Sequence, residues 1–352
     1  MDSLTQACLG GALGGAILGR RLGRKSILLG AVAATLPDLD SFIDHGSAVA
    51  DYTYHRSVTH SIFILSLLAG VLTLVCTRLP AAKQIPARQW LWFWWLCLVT
   101  HPLLDAFTTY GTQLLWPIAS PPVAWKTIFI IDPLYTLPIL LAIIVALIRG
   151  IHGRAVVIGL AMSTAYLGFS IAAKSMVLAQ VSPALIQRGL ADRPVMVQPT
   201  PFNTLVWRVT VIDDDRQLEA LVSLFDAPHT LTFDSFRRPM AARDFLTDSW
   251  AGQRLGWFAA PYWRSEERDG TLIVTDLRMG QPGTYSFAFD IAERDDNGSW
   301  QPVTSRSVDM PRPDTGLLSA LLKRITHPDA LCPSDFGDRD LLLPDAECRS
   351  KA

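Results

Sequence analysis

Apolar stretches fill the first half of this chain, at residues 4–19, 26–36, 62–77, 90–107, 133–148 and 155–179. No other feature constrains the fold as much. A membrane crossing takes about 20 consecutive apolar residues in a helix, whereas a water-soluble helix needs an apolar stripe on one face only. The last stretch is comfortably long, the third to fifth need flanking residues, and the first two are short. Gly10, Gly11, Gly14 and Gly15 permit close helix contact, so the first pair is expected to tuck into a bundle rather than face lipid. No basic region precedes Leu4, so the first stretch reads as a retained helix and not as a cleaved signal.

Charge is distributed to match. Of 352 residues 18% are charged, below the roughly 25% of soluble domains. The net charge of −1 offers no basic field for a polyanion, which argues against nucleic acid as a partner. The first acidic residues are all aspartates (Asp2, Asp38, Asp40, Asp44, Asp51, Asp105 and Asp132), and glutamate first appears at Glu219. Loop charges alternate too. Arg20, Arg21, Arg24, Lys25, Arg78, Lys83, Arg88, Arg149 and Arg154 occupy one set of connections, while the other set, 37–60 and 108–132, holds Arg56 and Lys126. By the positive-inside rule the first set is cytoplasmic. The second set, and everything after residue 179, is then expected on the outer side. All seven of those aspartates, with His45, His55, His60 and His101, fall on or at the edge of that outer face.

Beyond about residue 182 the pattern changes. Residues 204–212, 271–278 and 284–291 read as strands from their β-branched and aromatic content. Residues 241–251 and 316–325 read as helices, and the runs at 213–215 and 295–298 as turns. The expected fold class is an N-terminal α-helical membrane bundle of about six helices, the first two short, with a C-terminal α+β, mostly-β globular domain. The expected division is 1–181 and 182–352. Cys8, Cys76 and Cys97 lie in apolar runs. Cys332 and Cys348, in the polar tail, would pair in an oxidising space.

Three short segments carry chemistry. Asp38 and Asp40 follow Pro37 at the end of an apolar helix, where two carboxylates converge if the helix stops there. His55 and His60 lie in HRSVTHS, with Thr59 as a candidate N-cap of the next helix. His101 and Asp105, four apart, share a helix face. Ionisable residues gathered at a membrane face are functional candidates by default. Mixed imidazole and carboxylate donors suit Zn, Mn or Fe better than Ca or Mg. Arg56 is placed to hold a phosphate oxygen, or to snorkel to lipid headgroups.

PDLD, HRSVTHS and HPLLDAFTTYGTQLLWP, in that order over most of residues 1–150, resemble the YdjM-like family of inner-membrane-associated proteins, whose members are taken to be metal-dependent hydrolases. WKTIFIIDPLYTLP and PTPFNTLVWRV look like the longer members of the group. The resemblance implies metal ligands at Asp38, Asp40, His55, His60, His101 and Asp105, and a site role for Asp132, which as a helix-start acid has an equally good structural reading. The family's N-terminal MDxxTH reads Met1, Asp2, Ser3, Leu4, Thr5, Gln6 here, and an amide is a poor zinc ligand.

These observations lead to one expectation: a multi-pass protein of a bacterial inner membrane, its site and C-terminal domain on the periplasmic side. It is expected to hydrolyse a phosphoester or other amphiphilic substrate, a membrane lipid or lipid-like molecule, by a metal-activated water. One or two divalent transition ions, zinc first and then Mn or Fe, would serve as cofactor. The alternative is a non-catalytic membrane scaffold or regulator with a structural metal site and a C-terminal domain that binds a protein partner. His45 and Asp44 read as loop residues, as does His152; His229 and His327, in the C-terminal unit, have no partners in sequence.

Overall fold

The computed structural model describes all residues except 152–153, 228–230, 313 and 351–352, so His152 and His229 lie outside the described residues. The chain divides into two compact units. One comprises Met1–Ile43, Tyr54–Ser170 and Pro201–Asn203; the other comprises Asp44–Thr53, Ile171–Thr200 and Thr204–Ala352.

The first unit is helical. In α1 (Ser3–Leu22) the Asp2 carboxylate caps the N-terminus by accepting the Thr5 amide at 3.0 Å, which satisfies one of the orphan donors there. Helix α2 (Lys25–Thr35) runs back along α1 at a separation only glycine allows. A Cβ on Gly10 would stand 2.2 Å from the Gly30 carbonyl oxygen, and one on Gly14 would stand 2.1 Å from that of Ser26. Pro37 lacks the N–H that would continue the helical ladder. The chain tightens there into a 3-10 turn, Pro37–Phe42. A second 3-10 turn, Val58–His60, leads into α4 (Ile62–Arg78). Helix α3 (Ala48–Tyr54) lies between the two turns and belongs, up to Thr53, to the other unit. Helices α5 (Ala87–Ala106) and α6 (Pro133–Arg149) follow, then α7 (Ala155–Gln187), which continues into the second unit.

All six apolar stretches are therefore helical, but they are not equal as membrane elements. Among the described residues α7 alone is long and apolar enough to cross a bilayer by itself. Ala48–His60 with Ile62–Arg78 would make a second span bent by 49°. Helices α2 and α6 are apolar but shorter.

The second unit carries two four-stranded antiparallel sheets, each in sequential strand order. The first is β1 (Val195–Pro199), β2 (Val206–Asp213), β3 (Arg216–Ser223) and β4 (Asp234–Arg237). Trp207, Val209, Ala220 and Val222 of this sheet share a core with Ala173, Val177, Val181 and Leu185 of α7. Helices α8 (Arg243–Asp248) and α9 (Trp250–Ala259) precede the second sheet, β5 (Trp263–Arg268), β6 (Thr271–Asp276), β7 (Phe287–Arg294) and β8 (Trp300–Ser307), and α10 (Thr315–Arg324) follows it. The single helix expected over 241–251 is two helices. Ser249 is extended, and its hydroxyl caps α9 by accepting the Gly252 amide. Cys332 and Cys348 are joined by a disulfide. The tail beside it is tied to the first sheet through Leu343 N–H to the Ser235 carbonyl and Glu347 N–H to that of Phe233.

Candidate metal centre

The two 3-10 turns and one turn of α5 bring together the segments singled out in the sequence. Asp38, His60, His101 and Asp105 each offer one ligand atom, and these atoms all lie within 4.8 Å of one another. His101 Nε2 stands 3.2 Å from Asp38 Oδ1 and 3.4 Å from Asp105 Oδ2. His60 Nε2 stands 3.5 Å from Asp38 Oδ1 and 3.4 Å from Asp105 Oδ2. Those separations correspond to the edges of a small tetrahedron: four donors about 2.0–2.1 Å from one ion lie about 3.3–3.4 Å apart. His60, His101 and Asp105 are fully buried, and Asp38 keeps some contact with solvent.

Neighbouring groups fix which nitrogen of each imidazole faces the centre. His101 Nδ1 lies against the Ala34 carbonyl; since a carbonyl only accepts, Nδ1 carries a proton and Nε2 is left to the cluster. For His60 the link is Thr59. Its hydroxyl donates to Asp40 Oδ2 at 2.6 Å and so accepts from His60 Nδ1 at 3.0 Å. Asp40 also accepts His55 Nδ1 at 2.9 Å and the Arg56 amide at 3.0 Å. Asp40 and His55 thus stand behind His60, outside the four-residue cluster, in the arrangement by which a carboxylate orients a metal-binding histidine. Thr59 does not cap α4; the Ser61 hydroxyl does, accepting the Ile64 amide.

Donor groups gather on Asp105. The Met1 amine and the Gln6 amide donate to its Oδ1, and Arg56 Nε lies 3.3 Å from its Oδ2. Gln6 therefore orients Asp105, which the sequence pattern alone did not indicate. Arg56 is buried with a left-handed backbone, φ 62°, and its guanidinium lies 4.9 Å over the Tyr110 ring. Among the described residues, Arg56 Nε and Nη1, His60 Nε2, Asp105 Oδ2 and Gln6 Oε1 are buried without a hydrogen-bond partner. Such a convergence of unpaired polar atoms is costly. Lone pairs of two imidazoles and two carboxylates at this spacing are stable only with positive charge among them, as shared protons or as a cation. Burial opposes ionisation of Asp38, but the neighbouring His101 and His60 imidazoles outweigh it and hold the carboxyl well below its ordinary range. For Asp40, burial is likewise outweighed by hydrogen bonds from His55 and Thr59, which bring its pKa to about 2. The Asp38 carboxylate is thus ready for a cation, as ligation requires, while that of Asp40 is ready to accept from His55 and Thr59.

Asp132 lies elsewhere. It caps α6 by accepting the Leu134 and Tyr135 amides, and its other oxygen accepts the Tyr166 hydroxyl at 2.9 Å. It is not one of the four clustered residues. Asp44 and His45 are exposed, and Asp51 accepts the His45 amide.

A helical unit that aims histidines and aspartates from three segments at one point defines a class of candidate metal-binding membrane proteins. The YdjM inner membrane protein family matches residues 1–177, and the chain belongs to that family. No curated protein and no solved structure matches the chain.

Proposed function

We propose that Asp38, His60, His101 and Asp105 hold one divalent transition ion, zinc first and Mn or Fe next, and that the protein is a membrane-bound hydrolase. The observation that carries this reading is the quartet of 3.2–3.5 Å separations between donor atoms whose imidazole nitrogens are turned inward by Ala34 and Thr59. When bound, such an ion acidifies a water and polarises a phosphoryl oxygen. The protein's own groups would do the rest. Arg56, held beside Asp105 through Nε and with its buried Nη1 lacking a hydrogen-bond partner, would bind a phosphate oxygen of the substrate. The Asp40 and Thr59 pair would hold the His60 ring. Leu39, Phe42, Ile43 and Val58, exposed next to the site residues in sequence, favour an amphiphilic phosphoester, a membrane lipid or lipid-like molecule, over a soluble one. The same reading places the site and the C-terminal domain at the periplasmic face of a multi-pass chain, from the loop charges.

The test is metal analysis of the purified protein together with hydrolysis of phospholipid vesicles. One equivalent of transition metal is expected, lost in His60→Ala and His101→Ala along with turnover. Metal-free wild type that binds none on titration with Zn2+ would refute the metal centre. A tightly held ion without turnover of any phosphoester would leave the scaffold reading in its place.

A further inference from the structure

The segment between the two 3-10 turns is not built into the helical unit that it interrupts. Residues Asp44–Thr53 belong to the compact unit formed by the C-terminal sheets. Tyr52 is buried there, its ring 5.0 Å from Phe258, 4.4 Å from Phe287 and 5.1 Å from Phe289. Its hydroxyl donates to Asp276 at 2.9 Å, and Arg278 pairs with the same carboxylate at 2.6 Å. The Val49 amide donates to the Ser305 hydroxyl. At the end of the segment Arg254 of α9 donates to the Thr53 hydroxyl at 2.9 Å and to its carbonyl at 3.1 Å. Aromatic packing of this kind with a satisfied polar tip makes a firm anchor, and hydrogen bonds from a guanidinium are among the stronger ones.

One residue further along the chain, Tyr54, separates this anchor from His55 and Arg56. Consecutive Cα atoms are about 3.8 Å apart, so a shift of Thr53 has almost no chain length in which to dissipate before it reaches both. Arg56 sits in a sparsely allowed backbone region, which persists only where its surroundings enforce it. On the site side, its amide donates to Asp40 and its carbonyl accepts the Gln113 amide. We infer that the C-terminal domain sets the geometry of the His55 and Arg56 loop through residues 44–53, with Arg254 and Tyr52 as positioning residues. The domain thereby supplies a lever on the proposed substrate-binding guanidinium. The inference rests on the proposed role of Arg56 for its functional meaning, but not for its test.

That test is hydrogen exchange, read by mass spectrometry, on the full-length, metal-free protein in detergent. Peptides covering 54–61 are compared with peptides covering 62–78 and 87–106. Arg254→Ala removes two hydrogen bonds to Thr53 and should speed exchange in 54–61 by about tenfold or more. Arg254→Lys, which keeps a donor, should restore much of the protection. Tyr52→Phe, a milder change that preserves the ring packing, should give about fivefold. Unchanged exchange in 54–61 for both Arg254→Ala and Tyr52→Phe would overturn the inference. So would an increase spread equally over α4 and α5, which would mark general destabilisation. Because metal is absent throughout, failure here is separate from failure of the metal centre, which the Zn2+ titration reads.

Discussion

At the scale of single residues, Asp40 separates the two ways a carboxylate can serve this cluster. It touches His55, Thr59 and the Arg56 amide, and only through Thr59 and a 3.6 Å approach to Nδ1 does it act on His60. Asp40→Ala should therefore weaken Zn2+ binding by about 10–100-fold without abolishing it, whereas Asp38→Ala, which removes a member of the cluster, should abolish stoichiometric binding. Competition titration with a chromophoric chelator measures both; equal losses would put Asp40 among the direct ligands. The sequence made the candidate residues legible because carboxylates and imidazoles are rare in apolar surroundings and stand out. It did not rank them. Asp38 and Asp40 look alike in PDLD, and their different roles come from a 3-10 turn that sends one toward His101 and the other toward His55. Nor could the pattern show that Gln6 reaches Asp105, a contact made across 99 residues of chain.

At the scale of elements, the glycines of the first hairpin link packing to the site. The last turn of α2 carries Ala34, whose carbonyl fixes His101, and leads into the turn that carries Asp38. Its closeness to α1 is set where a Cβ on Gly30 would stand 2.1 Å from the Gly10 carbonyl oxygen. Gly30→Ala should cost about 1–3 kcal/mol through overpacking and should also weaken metal binding. Gly70→Ala in α4, where a Cβ meets nothing within 4 Å, should be neutral or stabilise by about 0.5–1 kcal/mol. Thermal melts in detergent followed by circular dichroism distinguish the two, and equal shifts would refute the packing argument. The helices were legible because apolar runs this long have few alternatives. Strands were legible only where β-branched or aromatic residues dominate, as in β2, β6 and β7, the last lying about three residues further along than the expected 284–291. Strands β5 and β8, at the edges of the second sheet, are rich in charged and polar residues, and β8 is largely exposed. Strand β3 hides Glu219 in a buried pair with Arg208 at 2.6 Å, so its polar residue reads as surface in the sequence.

At the scale of the whole molecule, orientation in the membrane is the property on which the site's chemistry depends. Arg78 at the end of α4, Lys83 in the following loop and Arg88 at the start of α5 mark one connection, and the one bounded by Arg149 and Arg154 lies between α6 and α7. Lys and Arg in short loops resist translocation. If both loops are cytoplasmic, α7 carries the chain outward, and the C-terminal domain folds in an oxidising space where the Cys332 and Cys348 bond is stable. That bond closes a loop with a sequence separation of 16, a length for which cross-linking stabilises by about 3 kcal/mol. A periplasm-dependent reporter fused after Ala352 should therefore be active. Maleimide labelling of denatured protein, prepared without reductant, should leave both cysteines unmodified until a reductant is added. A cytoplasm-dependent reporter active at that position would reverse the orientation. Cysteines 332 and 348 found as free thiols would remove its chemical support and would predict a C-terminal domain easier to unfold by the same increment.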